Sequence, residues 1–502
     1  MDGSGSVYIS DSGNNRVLEE TSSGGNFGTV NVGSTSQTPI SMIFTFDTAG
    51  TLGSTAVVTQ GVTGLDFADA GTGTCTAGTA YTAGATCTVD VNFKPKFAGT
   101  RYGAAELLDS SGNVLATGYV QGTGVGPQVN FLPGTEIIIA PDLAWSGGIA
   151  VDGSGNVYIT DYNQPEDTRE LIYKETFSGG SYTLSTIPTN TQEEPGGIAV
   201  DGAGDLYVAY GGDLLEANSM ILKETPSPGG YIQSIVASST SSNVSSPFGV
   251  AVDGSGNVFF SSSWGAVYKE TLTAGSYTQS TVVTGLPSAT GVAVDGSGAV
   301  YIAVNETNGW VVKETPSAGG YTQSTIAVGN GGVPFGVAVD GSGNVYVAYT
   351  DNNGIGQVFK ETPTEAGYVQ SIIQTSGLNQ PMGIAVDGSG NVYIGNSGYY
   401  SVLKEDLADP PSLAFATTAV GTDSPQTVTV ENVGNAALTF PIPTTGSNPS
   451  IATSFTLNSS GSSACQVENS GTESAETLSP NATCDLVMSF EPEMTGTLSL
   501  RK

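Results

Sequence analysis

Two short apolar runs, separated by a turn of small polar residues, recur six times along the chain. The first copy reads Gly148-Ile149-Ala150-Val151-Asp152-Gly153-Ser154-Gly155-Asn156-Val157-Tyr158-Ile159, and its aspartate returns at Asp201, Asp253, Asp295, Asp340 and Asp387. The intervals of 49, 52, 42, 45 and 47 residues fit a four-stranded propeller blade and exceed most helical repeats. Each unit divides into a narrow Gly-Ile-Ala-Val-Asp strand, an Asn-Val-Tyr-Ile-Thr strand, a third strand ending in Lys-Glu-Thr, and a fourth such as Tyr321 to Ile326. Inner strands crowd an axis, where Gly and Ala fit. The glycines of Asp-Gly-Ser-Gly-Asn are expected to supply positive φ between strands one and two.

The ends of the repeat set the blade number. The sixth unit stops after its third strand, at Leu403-Lys404-Glu405, while Thr135 to Ala140 precede the first unit as an orphan apolar strand. If the orphan completes the last unit, residues 129–409 close as a six-bladed β-propeller with no unpaired edge. Residues 1–22 begin inside the same motif and read as the remnant of a preceding propeller blade.

Outside the repeat the pattern changes to strict alternation. Ser41 to Phe46 and Cys87 to Phe93 alternate as half-buried strands of a β-sandwich over residues 24–126. A second copy spans 410–502: Val420-Gly421 echoes Val32-Gly33, and Phe490-Glu491-Pro492 answers Phe93-Lys94-Pro95. By that alignment the second sandwich is C-terminally truncated. The expected fold class is all-β, a six-bladed propeller flanked by two immunoglobulin-like sandwiches. Cys75 with Cys87 and Cys465 with Cys484 form one local pair per sandwich and read as disulfides, hence an oxidising compartment. Buried reduced thiols are the alternative. Zinc is a poorer one, since two cysteines without histidine cannot fill four ligand positions.

The repeat resembles the NHL family of β-propellers, most fully at Tyr8 to Val17 through Asp11, Asn14, Asn15, Arg16 and Val17, with Asp161 keeping one landmark. The sandwiches resemble abnormal-spindle/Hydin-type (choice-of-anchor D-like) modules, through the pattern from Cys87 to Thr100. These resemblances imply a secreted or cell-surface bacterial protein of alternating propellers and sandwiches, with neighbouring modules of a longer array as partners. A signal peptide is absent from this stretch.

Charge narrows the partners. Against 46 acidic residues stand 13 basic ones, a net of −33, and six of the 13 are the repeat lysines 174, 223, 269, 313, 360 and 404. That leaves no basic cluster for phosphates, so nucleic acid is a poor partner. No run approaches the ~20 apolar residues of a membrane span. Histidine is absent, which removes Ser-His-Asp, Cys-His and histidine-ligated metal chemistry. The Asp-Gly-Ser-Gly-Asn loops lack the alternating oxygen ligands and closing glutamate of an EF-hand and read as turns. The Lys-Glu pairs face opposite sides of a strand and read as ion pairs or hydrogen bonds between blades. The carboxylate neighbours Glu166 with Asp167 and Glu193 with Glu194 are expected by chance in so acidic a chain. No cofactor is expected.

Aromatic residues mark the candidate site. Trp145, Trp264 and Trp310, with Tyr162, Phe248, Phe335, Tyr399 and Tyr400, fall in loops joining strand four to one or two to three, which open on one propeller face. There they would stack on sugars or form a protein-binding hot spot; the competing reading wedges them between blades. The expected function is a non-enzymatic extracellular binding or adhesion module for a glycan or protein. A purely structural spacer is the alternative, and a carbohydrate-active or lactone-acting enzyme the second. Thiol titration of the denatured, unreduced chain is expected to find no free thiols; four would refute the oxidising compartment.

Overall fold

The computed structural model describes residues 7–11, 16–20, 25–140, 143, 146–161, 171–189, 194–211, 218–240, 242–262, 264–273, 275–329, 331–440, 454–458, 462–465 and 477–493. Among them the protein is all-β, with one 3-10 turn, Ser397–Tyr399. Six four-stranded antiparallel sheets fill the stretch from Thr135 to Asp406. Their innermost strands are Ser146–Val151, Pro195–Val200, Pro247–Val252, Ala289–Val294, Val333–Val339 and Pro381–Val386. Each touches the next, and the last touches the first. The arrangement is a β-propeller. A Cβ at Gly249, Gly291 or Gly336 would lie 2.2–2.6 Å from a carbonyl of the neighbouring sheet, so the narrow inner strand is a packing requirement.

The closing sheet is built from both ends of the repeat region. Thr135–Ala140 pairs antiparallel with Ser401–Asp406, with Thr135 opposite Asp406, Glu136 opposite Glu405 and Ile138 opposite Leu403. The orphan strand therefore supplies the missing fourth strand, as its apolar pattern suggested.

Every sheet shares one internal network. The third-strand lysine stands directly across from the second-strand aromatic, as Lys174 does from Tyr158 and Lys313 from Tyr301. Its ammonium sits over that ring, at 5.1 Å for Lys174, Lys269 and Lys313, 5.3 Å for Lys223 and 5.9 Å for Lys360 and Lys404. The expected ion pairs between blades are thus mainly cation–π contacts within a blade, worth about 0.5–2 kcal/mol each. The adjacent glutamate points the other way and meets the fourth strand: Gln233 donates to Glu224 at 2.7 Å, and Gln279 to Glu270 at 3.0 Å.

Two sheets depart from this rule: Leu184 stands opposite Glu175 in the first, and Glu136 stands opposite Glu405 in the closing one. Glu405 is buried, its Oε1 accepts no protein hydrogen bond, and burial together with the Glu136 carboxyl pushes its pKa up to about 8. Glu136 thus stands where Gln233, Gln279 and Gln370 stand in three other sheets.

Around the propeller lie two smaller modules. In the first, the sheet Ile40–Thr45, Thr86–Phe93, Phe67–Asp69 packs against a five-stranded sheet containing Ser54–Thr59, Gly99–Leu108 and Val114–Val125. Phe44, Phe67, Val91, Phe93, Leu107 and Val120 fill the space between them. Cys75–Cys87 and Cys465–Cys484 are disulfides. Such bonds belong to a chain folded in an oxidising environment. Among the described residues no helix is long and apolar enough to cross a membrane.

Raising a carboxyl's folded pKa above its unfolded value stabilises the fold fully below about pH 4.5 and loses that contribution as pH climbs to about 8. Thermal melts of the native chain are therefore expected to fall across this window. Glu405→Gln, which restores the Glu–amide pair, should flatten the fall; an unchanged slope would remove Glu405 from the closure.

Candidate functional site

The propeller has two ends, and the first sandwich occupies one. The turns joining strands one and two all lie at that end, and a Cβ on the first glycine of each would strike the sandwich. Gly153 meets the Thr59 carbonyl, Gly202 the Gly103 backbone, Gly254 the Gln121 and Tyr102 side chains, Gly296 Thr100, Gly341 the Gly99 backbone, and Gly388 the Arg101 guanidinium. Arg101 is itself held by Asp66 at 2.8 Å. The strand Gly99–Leu108 thus lies across the ring, and the sandwich acts as a lid on this mouth.

The turn itself is a closed hydrogen-bonded unit. Asp152 Oδ1 accepts from the amides of Ser154 at 2.9 Å and Asn156 at 3.0 Å, while Oδ2 accepts from Asn156 Nδ2 at 2.7 Å and the Tyr158 hydroxyl at 3.1 Å. Only the second glycine, such as Gly155 at φ 77°, is left-handed. The expectation that both glycines supply positive φ is corrected for the first, which is small because the sandwich presses on it. Asp109 to Asn113 in the sandwich makes the same two amide bonds and the same Asn bond, without the tyrosine, which marks this as a turn motif rather than a blade-specific site.

Under the lid sits a buried polar cluster. Tyr119 of the sandwich donates to Asp201 Oδ2 at 2.7 Å, Tyr207 donates to the same oxygen at 3.0 Å, and Lys223 reaches Asp205 at 2.5 Å. Burial, with Asp205 next, pushes Asp201 up to about 6, and burial with Asp205 and Asp201 pushes the nearby Glu106 to about 8. All these groups face each other across a sealed interface and are structural.

The opposite end carries the loops from strand two to three and four to one. Trp264 is 73% exposed there, its indole N–H donating to Ser245 Oγ at 2.9 Å. Tyr399 and Tyr400 are 60% and 53% exposed in the 3-10 turn of the closing sheet, and the Tyr400 carbonyl accepts from the Leu143 amide. Phe248 and Phe335 are half-buried at the starts of their inner strands, where Gly196 and Gly291 of neighbouring sheets pack on their carbonyls. Trp310 is half-buried against the cluster of Val292, Val300 and Ile302. For Trp310 the packed alternative holds, because it opens a third strand opposite Val304 instead of projecting from a loop. Trp145 and Tyr162 lie outside the described residues, as do Glu166, Asp167 and Glu193. Glu194 is exposed.

Sequence reasoning missed the lid, although the glycine following every repeat aspartate was its signal. A cavity of about 620 Å³ lies on the first sandwich, lined by Asn26, Phe27, Val30, Ser36 and Ile40 among others. Nothing in its lining titrates near neutral pH. Among the described residues no group of three His, Cys, Asp or Glu side chains is placed to hold a metal ion.

No model of a known protein family matches the chain. No curated protein is significantly similar to it. Solved structures are similar over 55–75% of its length. A streptogramin B lyase is 14% identical with a TM-score of 0.38, covering 55% of this chain and 98% of its own. A gluconolactonase from Xanthomonas campestris is 15% identical at 0.43, over 56% and 94%. An oxidoreductase described as a glucose dehydrogenase, from Thermus thermophilus, is 13% identical at 0.39, over 56% and 99%. The expectation that the chain is not an enzyme is corrected, since these similar structures are named as enzymes.

Tyr119→Phe deletes one donor to the buried Asp201 carboxylate. It is expected to cost about 1–3 kcal/mol, seen as a lower urea midpoint; no change would mean that the lid does not rest on this bond.

Proposed function

We propose that the chain is a ligand-binding six-bladed propeller of NHL-like type, carried between immunoglobulin-like sandwiches in a secreted or surface-displayed bacterial protein. Its loop end binds a glycan or a protein. One observation carries this reading: the turn end is sealed by the first sandwich, while the loop end keeps Trp264, Tyr399 and Tyr400 exposed. Large exposed aromatics are the side chains that stack on sugar rings and anchor protein hot spots. The net charge of −33 favours uncharged or cationic ligands over nucleic acid.

Trp264→Ala combined with Tyr399→Ala and Tyr400→Ala tests it, because all three rings are exposed and their loss leaves the core intact. Trp310→Ala is unsuitable, since it would open a hole beside Val300 and Ile302. Retention on a glycan and cell-wall array is expected to drop at least tenfold in the triple variant. Undiminished retention, or none by the native chain, would favour a spacer. Mass analysis of any retained ligand before and after incubation shows whether it is also turned over.

A further inference from the structure

The stretch joining the first sandwich to the propeller does not belong to the first sandwich. Val129–Leu132 pairs antiparallel with the strand Ser424–Asn432 of the second, Val129 opposite Asn432, Phe131 opposite Val430 and Leu132 opposite Thr429. Val129 and Phe131 pack beside the Cys465–Cys484 disulfide. The second sandwich thus completes its sheet with a strand from before the propeller.

The two modules share one register at this edge. Val430 stands opposite Cys484 as Phe44 stands opposite Cys87. The Gly33 amide donates to the Pro95 carbonyl at 2.8 Å and that of Gly421 to Pro492 at 3.0 Å; Phe46 donates to Ala85 at 2.9 Å and Asn432 to Ala482 at 3.0 Å. The edge Thr429 to Asn432 therefore corresponds to Ile43 to Phe46. In the first sandwich Ile40–Thr45 is the outermost strand of its sheet, and among the described residues that edge carries no further ladder. The hairpin of Val7–Asp11 and Arg16–Glu20 passes close by as a separate sheet. Edge strands of monomers are ordinarily blunted by lysine, proline or a bulge. Ile40–Thr45 has none of these, and its register with Thr86–Phe93 is unbroken.

We propose that the edge Ile43 to Phe46 receives an extended strand with the chemistry of Val129–Leu132, donated by the equivalent linker of another module. Backbone ladder bonds supply the affinity, as in other strand-addition complexes. An aromatic at the Phe131 position lies beside Phe44 and the Cys75–Cys87 disulfide, as Phe131 lies beside Val430 and its disulfide. Successive modules are then stapled by donated strands rather than strung on free linkers.

The probe is a synthetic peptide of residues 128–133 with a benzophenone in place of the Phe131 ring, photolysed with the full chain and mapped by mass spectrometry. Cross-links are expected on residues 42–46. They should fall at least tenfold when proline replaces Asn130 in the peptide, and equally in the Ile43→Lys chain, whose exposed substitution leaves the core untouched. Cross-links confined to residues 427–432, or absent, or insensitive to both changes, overturn the proposal.

Discussion

The antiparallel ladder between Thr135–Ala140 and Ser401–Asp406 holds the molecule in its shape. Without it the ring of inner strands would be an open array with two exposed edges, and the sixth sheet would lack its outer strand. Its register also places what precedes it. Because Thr135 is fixed opposite Asp406, Val129–Leu132 is laid along the second sandwich, and the Phe131 amide donates to the Leu407 carbonyl at 2.8 Å. One extended stretch, 129–140, therefore completes two sheets from two modules. The ends of the propeller are joined to the second sandwich by the same stretch that joins it to the first.

Within the ring the recurrent element is a lysine over an aromatic ring, with the ring's hydroxyl, where it has one, on the turn aspartate. Tyr158, Tyr207, Tyr301, Tyr346 and Tyr393 each donate to the aspartate six residues earlier. A further tyrosine from the next sheet's fourth strand approaches the same place, as Tyr277 does Tyr207 at 3.3 Å. The closing sheet's donated strand has no tyrosine, and the second sandwich fills in: Glu431 accepts from buried Lys360 at 2.7 Å. Burying an ion pair adds little net stability but removing one partner is costly. The contact therefore selects one docking position for the sandwich more than it strengthens the ring.

How much of this was legible depends on whether the signal is periodic. The spacing of the six aspartates, the apolar orphan strand and the paired cysteines each prescribe local geometry, and the sheets, the closure and the disulfides follow. Docking between modules leaves no period. The lid registers only as a glycine after each aspartate, which is indistinguishable in sequence from a glycine needed for a turn. Likewise Trp264 and Trp310 look alike as loop tryptophans, yet one lies in a loop and the other two residues further into a strand, a difference smaller than the error of placing strand ends. The Lys-Glu dipeptide misled for a related reason: strand alternation separates the two side chains, but the partner across the ladder, Tyr158 for Lys174, becomes visible only once register is known.

The lid has a consequence for any ligand. A propeller open at both ends would admit small molecules from either side, and its two loop sets would compete as binding surfaces. With Gly99 to Gly103 of the sandwich against the turns of five successive sheets, access is one-sided. The sealed side also holds two carboxyls with raised pKa values, Glu106 and Asp201, both buried, Asp201 accepting from Tyr119. Perturbed carboxyls are often taken as pointers to catalysis. Here the two carboxyls are buried beneath the sandwich, at the end of the propeller opposite Trp264, Tyr399 and Tyr400.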